Sequence, residues 1–106
     1  MQKIPITMTR GDTLAFKLTL TGMTAGAIFF SVRPDLNAPY VVQKFLSDGI
    51  SLIEGSTYRV RVAPEDTATL APGKYVYDCE LHIGEDVYTP FGGTLELKND
   101  VTRDEA

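Results

Sequence analysis

Apolar and polar residues alternate with a period of two along much of this chain, and that feature restricts it to β-structure. In "DTLAFKLTL", Leu14, Phe16, Leu18 and Leu20 fall on one face and Thr13, Lys17 and Thr19 on the other, the pattern of a half-buried strand. The same arithmetic sets Ile28, Phe30 and Val32 against Phe29, Ser31 and Arg33, and Tyr58, Val60 and Val62 against Thr57, Arg59 and Arg61. Near the C-terminus it sets Leu95 and Leu97 against Thr94, Glu96 and Lys98. Turn-forming clusters punctuate these runs: "RGD", "TGMTAG", "RPDLNAP", "SDG", "EGS", "APGK", "IGED" and "FGG". Seven or more short strands result, at the spacing of a β-sandwich. Only "PEDTATL" has helical character, with Pro64 suited to a first helical position and acids in the first turn, so one short helical turn is expected near 64–70. Gly92 and Gly93 have no helix after them and form no phosphate cradle; they read as a bend or bulge in a long last strand.

A chain of 106 residues with 43% apolar residues is the size of one domain with one core. The alternation ends at Lys98, which gives a single domain over 1–98 and a polar C-terminal tail over 99–106. A net charge of −4 and the lack of a dense basic cluster oppose the counterion-release binding that nucleic acids favour. No apolar run approaches the length of a membrane span, and the N-terminus carries no Sec-type signal. With one cysteine no internal disulfide can form, and synthesis in the cytoplasm is the expectation.

Cys79 and His82 are the only cysteine and histidine, and Asp78 lies beside them. On one strand over 73–83, Tyr75, Tyr77, Cys79, Leu81 and Ile83 share a face, while Val76, Asp78, Glu80 and His82 share the other. Thiol and imidazole then point apart, so the thiol lacks the adjacent base that nucleophilic catalysis requires. Asp78, Glu80 and His82 do share a face, but residues two apart on a strand stand about 7 Å apart and no second histidine exists to complete a metal shell. A solvated strand face is expected, with no metal, no cofactor and no catalytic group. Arg10, Gly11 and Asp12 spell the integrin-binding tripeptide, yet Gly-Asp between two strands is also what a tight turn requires, and a turn is expected there.

The stretch "EDTATLAPGKYVYDCEL" resembles the corner between strands E and F of immunoglobulin and fibronectin type III domains. In that corner a tyrosine returns its hydroxyl to the preceding backbone. Tyr77, two residues before Cys79, stands at that place. Tyr75 and Tyr77 also fit as ordinary core aromatics, and which of them closes the corner stays open.

Together, "RGDTLAFKLTL", "IFFSVRPD", "YRVRVAPEDTATLAPGKYVYDCEL" and "GGTLELKNDVTR" resemble a family of small immunoglobulin-like proteins and domains from tailed phages and prophages of Gram-positive bacteria, including the N-terminal domain of upper baseplate proteins. The resemblance implies an immunoglobulin-like antiparallel β-sandwich and a non-catalytic structural role in a virion tail or baseplate, with other tail or baseplate proteins as partners and homo-oligomers among the assemblies. In such a topology strand C, about 26–34, pairs with strand F, and F pairs with strand G, which starts near Val87. Phe29, Val76 and Tyr88 would then lie on one outer face with Arg33 and His82 nearby, and these five are the expected partner-binding residues. A loop or the N-terminal segment covering that face is the competing expectation. A carbohydrate-binding or adhesion module of β-sandwich type is the alternative function, with the same aromatics as a stacking platform.

Overall fold

In the computed structural model, which describes residues 1–20 and 24–101, the alternating runs form nine strands and one helical turn. In chain order these are β1 (Gln2–Lys3), β2 (Ile6–Thr9), β3 (Leu14–Thr19), β4 (Ala27–Arg33), β5 (Val42–Leu46), β6 (Gly49–Glu54), β7 (Thr57–Val62), α1 (Pro64–Thr67), β8 (Gly73–Ile83) and β9 (Asp86–Lys98). The turn expected over "TGMTAG" includes 21–23, and the expected tail includes 102–106; both segments lie outside the described residues.

The strands follow one another across a single sheet in the order β1-β9-β8-β4-β5-β6-β7-β3, with β2 also on β9. Phe16 of β3, at one end of that order, meets Phe91 of β9 near the other, with ring centroids 6.0 Å apart. The sheet has therefore curled until its ends face each other across a shared core. Ile28, Phe30, Val60, Val62, Cys79, Leu95 and Leu97 fill that core, all on the faces the alternation assigns to the interior.

The sheet is mixed, where an antiparallel one is expected. β1 and β2 run parallel to β9, with Gln2 opposite Phe91 and Met8 opposite Leu97, and β5 and β6 make a short parallel pairing. Without β1 and β2, β9 would offer an open edge; the N-terminal segment occupies its backbone donors and acceptors. Gly92 and Gly93 permit the close approach. A Cβ on Gly92 would stand 2.8 Å from the Tyr77 carbonyl, and one on Gly93 would stand 3.3 Å from the carbonyl of Ile4, whose own amide donates to Gly92 at 2.9 Å. The pairing of β8 and β9 passes through these glycines in regular register, Tyr77 opposite Gly93 and Asp78 opposite Gly92. The bulge expected at Gly92 and Gly93 lies instead between Cys79 and Leu81, where Thr89 and Pro90 oppose the single residue Glu80. Pro90 has no amide to give the ladder, which is why the extra residue sits there.

The two inward tyrosines divide their work. Tyr75 donates its hydroxyl to the Ala71 carbonyl at 2.6 Å, four residues upstream, and so closes the corner before β8. Tyr77, the residue that stands at the corner position by its spacing from Cys79, reaches across to the carbonyl of Ile4 and fastens the N-terminal segment to the core. Each hydroxyl satisfies a backbone carbonyl, so Tyr75→Phe and Tyr77→Phe should each cost about 1 kcal/mol in urea unfolding, whereas Thr19→Ala at the exposed Thr19–Thr57 contact should change little. Amide hydrogen exchange separates the two losses: Tyr77→Phe should speed exchange of the Ile4 amide and Tyr75→Phe should not. Equal protection of Ile4 in both variants would break this assignment.

The helical turn is fixed from both sides. Asp66 accepts the Ala63 amide at 2.7 Å and pairs with Lys44 at 2.9 Å, while the buried Thr67 hydroxyl accepts the Gly11 amide at 2.8 Å. Gly11 has φ of 81°, as the turn reading of Arg10-Gly11-Asp12 requires. Arg10 is folded onto Asp100 at 2.9 Å with its side chain 14% exposed, a poor posture for an adhesion motif.

Candidate interaction face

The outward sides of β5, β4 and β8 form an open groove of about 510 Å3. Its residues are set by register. Phe45, Phe29 and Glu80 stand in one cross-strand row, Gln43, Ser31 and Asp78 in the next, and Arg33 beside Val76 in the third. Ala27 and His82 form a further row beyond Phe29. Leu36, 79% exposed in the loop between β4 and β5, overhangs one end.

Phe29, Arg33, Val76 and His82, four of the five expected site residues, line this groove together. Tyr88 does not join them. The bulge between Cys79 and Leu81 shifts the register by one residue, and a shift of one moves a side chain to the opposite face. Tyr88 is consequently opposite Leu81, on the inward-facing row, and is 49% exposed. Val87 takes the place opposite His82 and extends the outer face instead.

Polar contacts hold the groove in shape. Gln43 Nε2 donates to Ser31 Oγ at 3.1 Å, His82 Nε2 stands 2.8 Å from Glu80 Oε1, and the Phe29 and His82 rings meet edge to face at 5.4 Å. Partial burial raises the pKa of Asp78; the Glu80 charge adds to the rise and the Arg33 guanidinium opposes it. The groove thus presents an aromatic floor, a pair of carboxylates and one cation at its rim.

On the inner face Cys79 is buried, and its pKa is pushed up to about 12, first by burial and then by the Asp78 charge. It lies on the side of the sheet away from His82, and a protonated thiol in an apolar core is chemically inert. Among the described residues no group of three or more His, Cys, Asp or Glu is placed to hold a metal ion, and no helix is long and apolar enough to cross a membrane.

Phe45 stands beside the groove on the same outward face, opposite Phe29, although no sequence pattern singles it out. On β5 the usual polarity is inverted: Lys44 turns inward to Asp66 and Phe45 turns out to stand opposite Phe29.

In sequence, the chain matches no known family profile and no curated protein. In fold it is similar to the endo-β-1,4-mannanase from Thermotoga petrophila, with a TM-score of 0.58 and 12% identity over 90% of this chain and 18% of that one. It is also similar to a marsupial T cell receptor, with a TM-score of 0.55 and 14% identity over 94% of this chain and 51% of the receptor. The match spans about a fifth and about half of those two proteins. At such identities the likeness is one of fold, all-β with its strands in a comparable arrangement.

Proposed function

We propose that this chain is an immunoglobulin-like β-sandwich module without catalysis of its own, a structural or assembly protein of a phage or prophage tail or baseplate. It binds other virion proteins, and copies of itself where the assembly requires it, through the outer face of β5, β4 and β8. The carrying observation is the row of Phe45 and Phe29, with Val76 two rows away, on a sheet face open to solvent and framed by Arg33, Asp78, Glu80 and His82. Apolar side chains ringed by polar ones on an exposed face are the usual anatomy of an interface core. The likeness to a T cell receptor supports the immunoglobulin-like reading of the curled sheet, and the four segments that resemble the phage family support the phage context.

Phe29→Glu and Val76→Glu test the proposal. Both side chains point away from the core, so melting temperature should fall by only a few degrees, as ~1 kcal/mol or less implies in a domain of this size. Tail or baseplate proteins, identified by mass spectrometry after capture on the immobilised wild-type chain from a phage lysate, should be lost from both variants. Retention of the same virion proteins by both would remove the face from the interaction. Retention of the wild type on a polysaccharide column, lost in Phe29→Glu, would favour the carbohydrate-binding alternative, for which Phe29, Asp78 and Glu80 supply an aromatic platform and acceptors.

A further inference from the structure

A second surface, on the opposite end of the strand order from β9, has a different character. β3 pairs with β7 on one side and, among the described residues, has no strand on the other. Leu20 donates its amide to the Ser56 carbonyl at 2.9 Å, and in the continuous register with β7 this turns the backbone groups of Leu14, Phe16 and Leu18 toward β7. The amides and carbonyls of Ala15, Lys17 and Thr19 therefore face the open edge. On its inner side β3 shows Leu14, Phe16 and Leu18, which are half-buried where their partners Val62, Val60 and Tyr58 are buried. An apolar strip along this edge is left partly uncovered.

The outward side carries concentrated positive charge. Lys17 stands directly opposite Arg59, and Arg61 follows two residues along β7, opposite Ala15. Like charges directly opposite on a sheet are destabilising. Among the described residues none of these three cations is ion-paired, although the chain as a whole carries a charge of −4. Among the described residues no carboxylate is placed to offset this arrangement.

We propose that the free edge of β3 takes an extended acidic segment of a partner protein as an added strand. Its backbone bonds to Ala15, Lys17 and Thr19, its inward side chains are apolar and cover Leu14, Phe16 and Leu18, and its outward side chains are acidic and pair with Lys17, Arg59 and Arg61. Alternation of apolar and acidic residues is thus the sequence this edge selects. The inference does not depend on the groove of β5, β4 and β8, which lies elsewhere on the sheet.

The probe is a capped heptapeptide alternating glutamate and valine, titrated into the 15N-labelled chain. Amide shifts should be confined to residues 13–19 and 57–62, and binding should weaken about tenfold or more between low and high salt, as exposed charge pairs require. Lys17→Glu with Arg59→Glu should abolish it. Ala15→Pro removes an edge-facing amide without breaking a bond to β7 and should abolish it too; should that variant fail to fold, the same peptide N-methylated at alternate residues must fail to bind. Equal binding of a lysine and valine peptide, binding by the N-methylated peptide, shifts centred on Phe29 and Val76, or no binding at millimolar peptide would each overturn the proposal. So would a dimer of the wild-type chain lost in Lys17→Glu, since the edge would then be taken by a second copy.

Discussion

Phe30→Ala is expected to destabilise the fold by about 3–5 kcal/mol, and its neighbour Phe29→Ala by no more than about 1. Phe30 is fully buried, edge-on to Phe16 at 5.6 Å and tilted against Tyr77 at 5.5 Å, so it joins β3 at one end of the sheet to β4 and β8 across the core. Truncation there leaves a void between β3, β4 and β8 that well-packed neighbours fill only incompletely. Phe29 faces the groove, where water and Phe45 replace what is lost. Urea unfolding of the two variants measures the contrast directly. Comparable losses would mean that the groove floor belongs to the core, which would remove the ground for proposing an interface there.

The second large effect is alkaline. The unfolded thiol ionises from its ordinary value of 9.0, while the folded Cys79 holds its proton up to about 12, so unfolding above pH 9 releases a proton that the native state keeps. The contribution is fully present below pH 9 and is lost as pH rises toward 12, by up to about 4 kcal/mol for three units. Burial raises the Tyr77 pKa as well and acts in the same direction, so the comparison is with Cys79→Ala. That variant is less stable at neutral pH because of its cavity, but its stability should decline less steeply above pH 9, and the gap from wild type should narrow. A thiol reagent at pH 8 should label Cys79 slowly in the native protein and rapidly in urea. Parallel alkaline curves together with fast native labelling would place the thiol in solvent.

Most of what the alternation reveals concerns faces, and little of it concerns partners. Leu14, Phe16, Tyr58, Val60, Cys79 and Leu95 turn inward as their parity demands, because in a half-buried strand solvent selects the polarity of every second residue. Parity says nothing of which strand lies alongside, so the parallel placement of β1 and β2 on β9 is not legible in it. The misplacement of Tyr88 has a local cause. Parity extends through Pro90 only if the ladder is continuous, yet a proline inside a strand signals a bulge, and that signal is present in "VYTPFGG". Tyr75 and Tyr77 share a face and a hydroxyl, so their roles depend on where Ile4 lies, some seventy residues away in sequence. On β5, polarity misleads outright: Lys44 is the inward residue, held by Asp66, and Phe45 the outward one. Of the outward face, Phe29, Arg33, Val76 and His82 can be read from the sequence, while Phe45 beside the groove requires the register.

The parallel lacing of β2 to β9 also determines how the domain would carry a load. Tension that enters ahead of Ile6 and leaves beyond Lys98 pulls two parallel neighbours past each other along their length, and the pairs from Ile6–Leu95 to Thr9–Lys98 resist together. Two antiparallel strands drawn from one shared end would separate bond by bond, like a zip. Here rupture requires the whole ladder to slip at once, with Arg10 clamped on Asp100 just beyond it. Resistance to pulling would thus reside in a short strip that Met8, Leu95 and Leu97 also tie into the core.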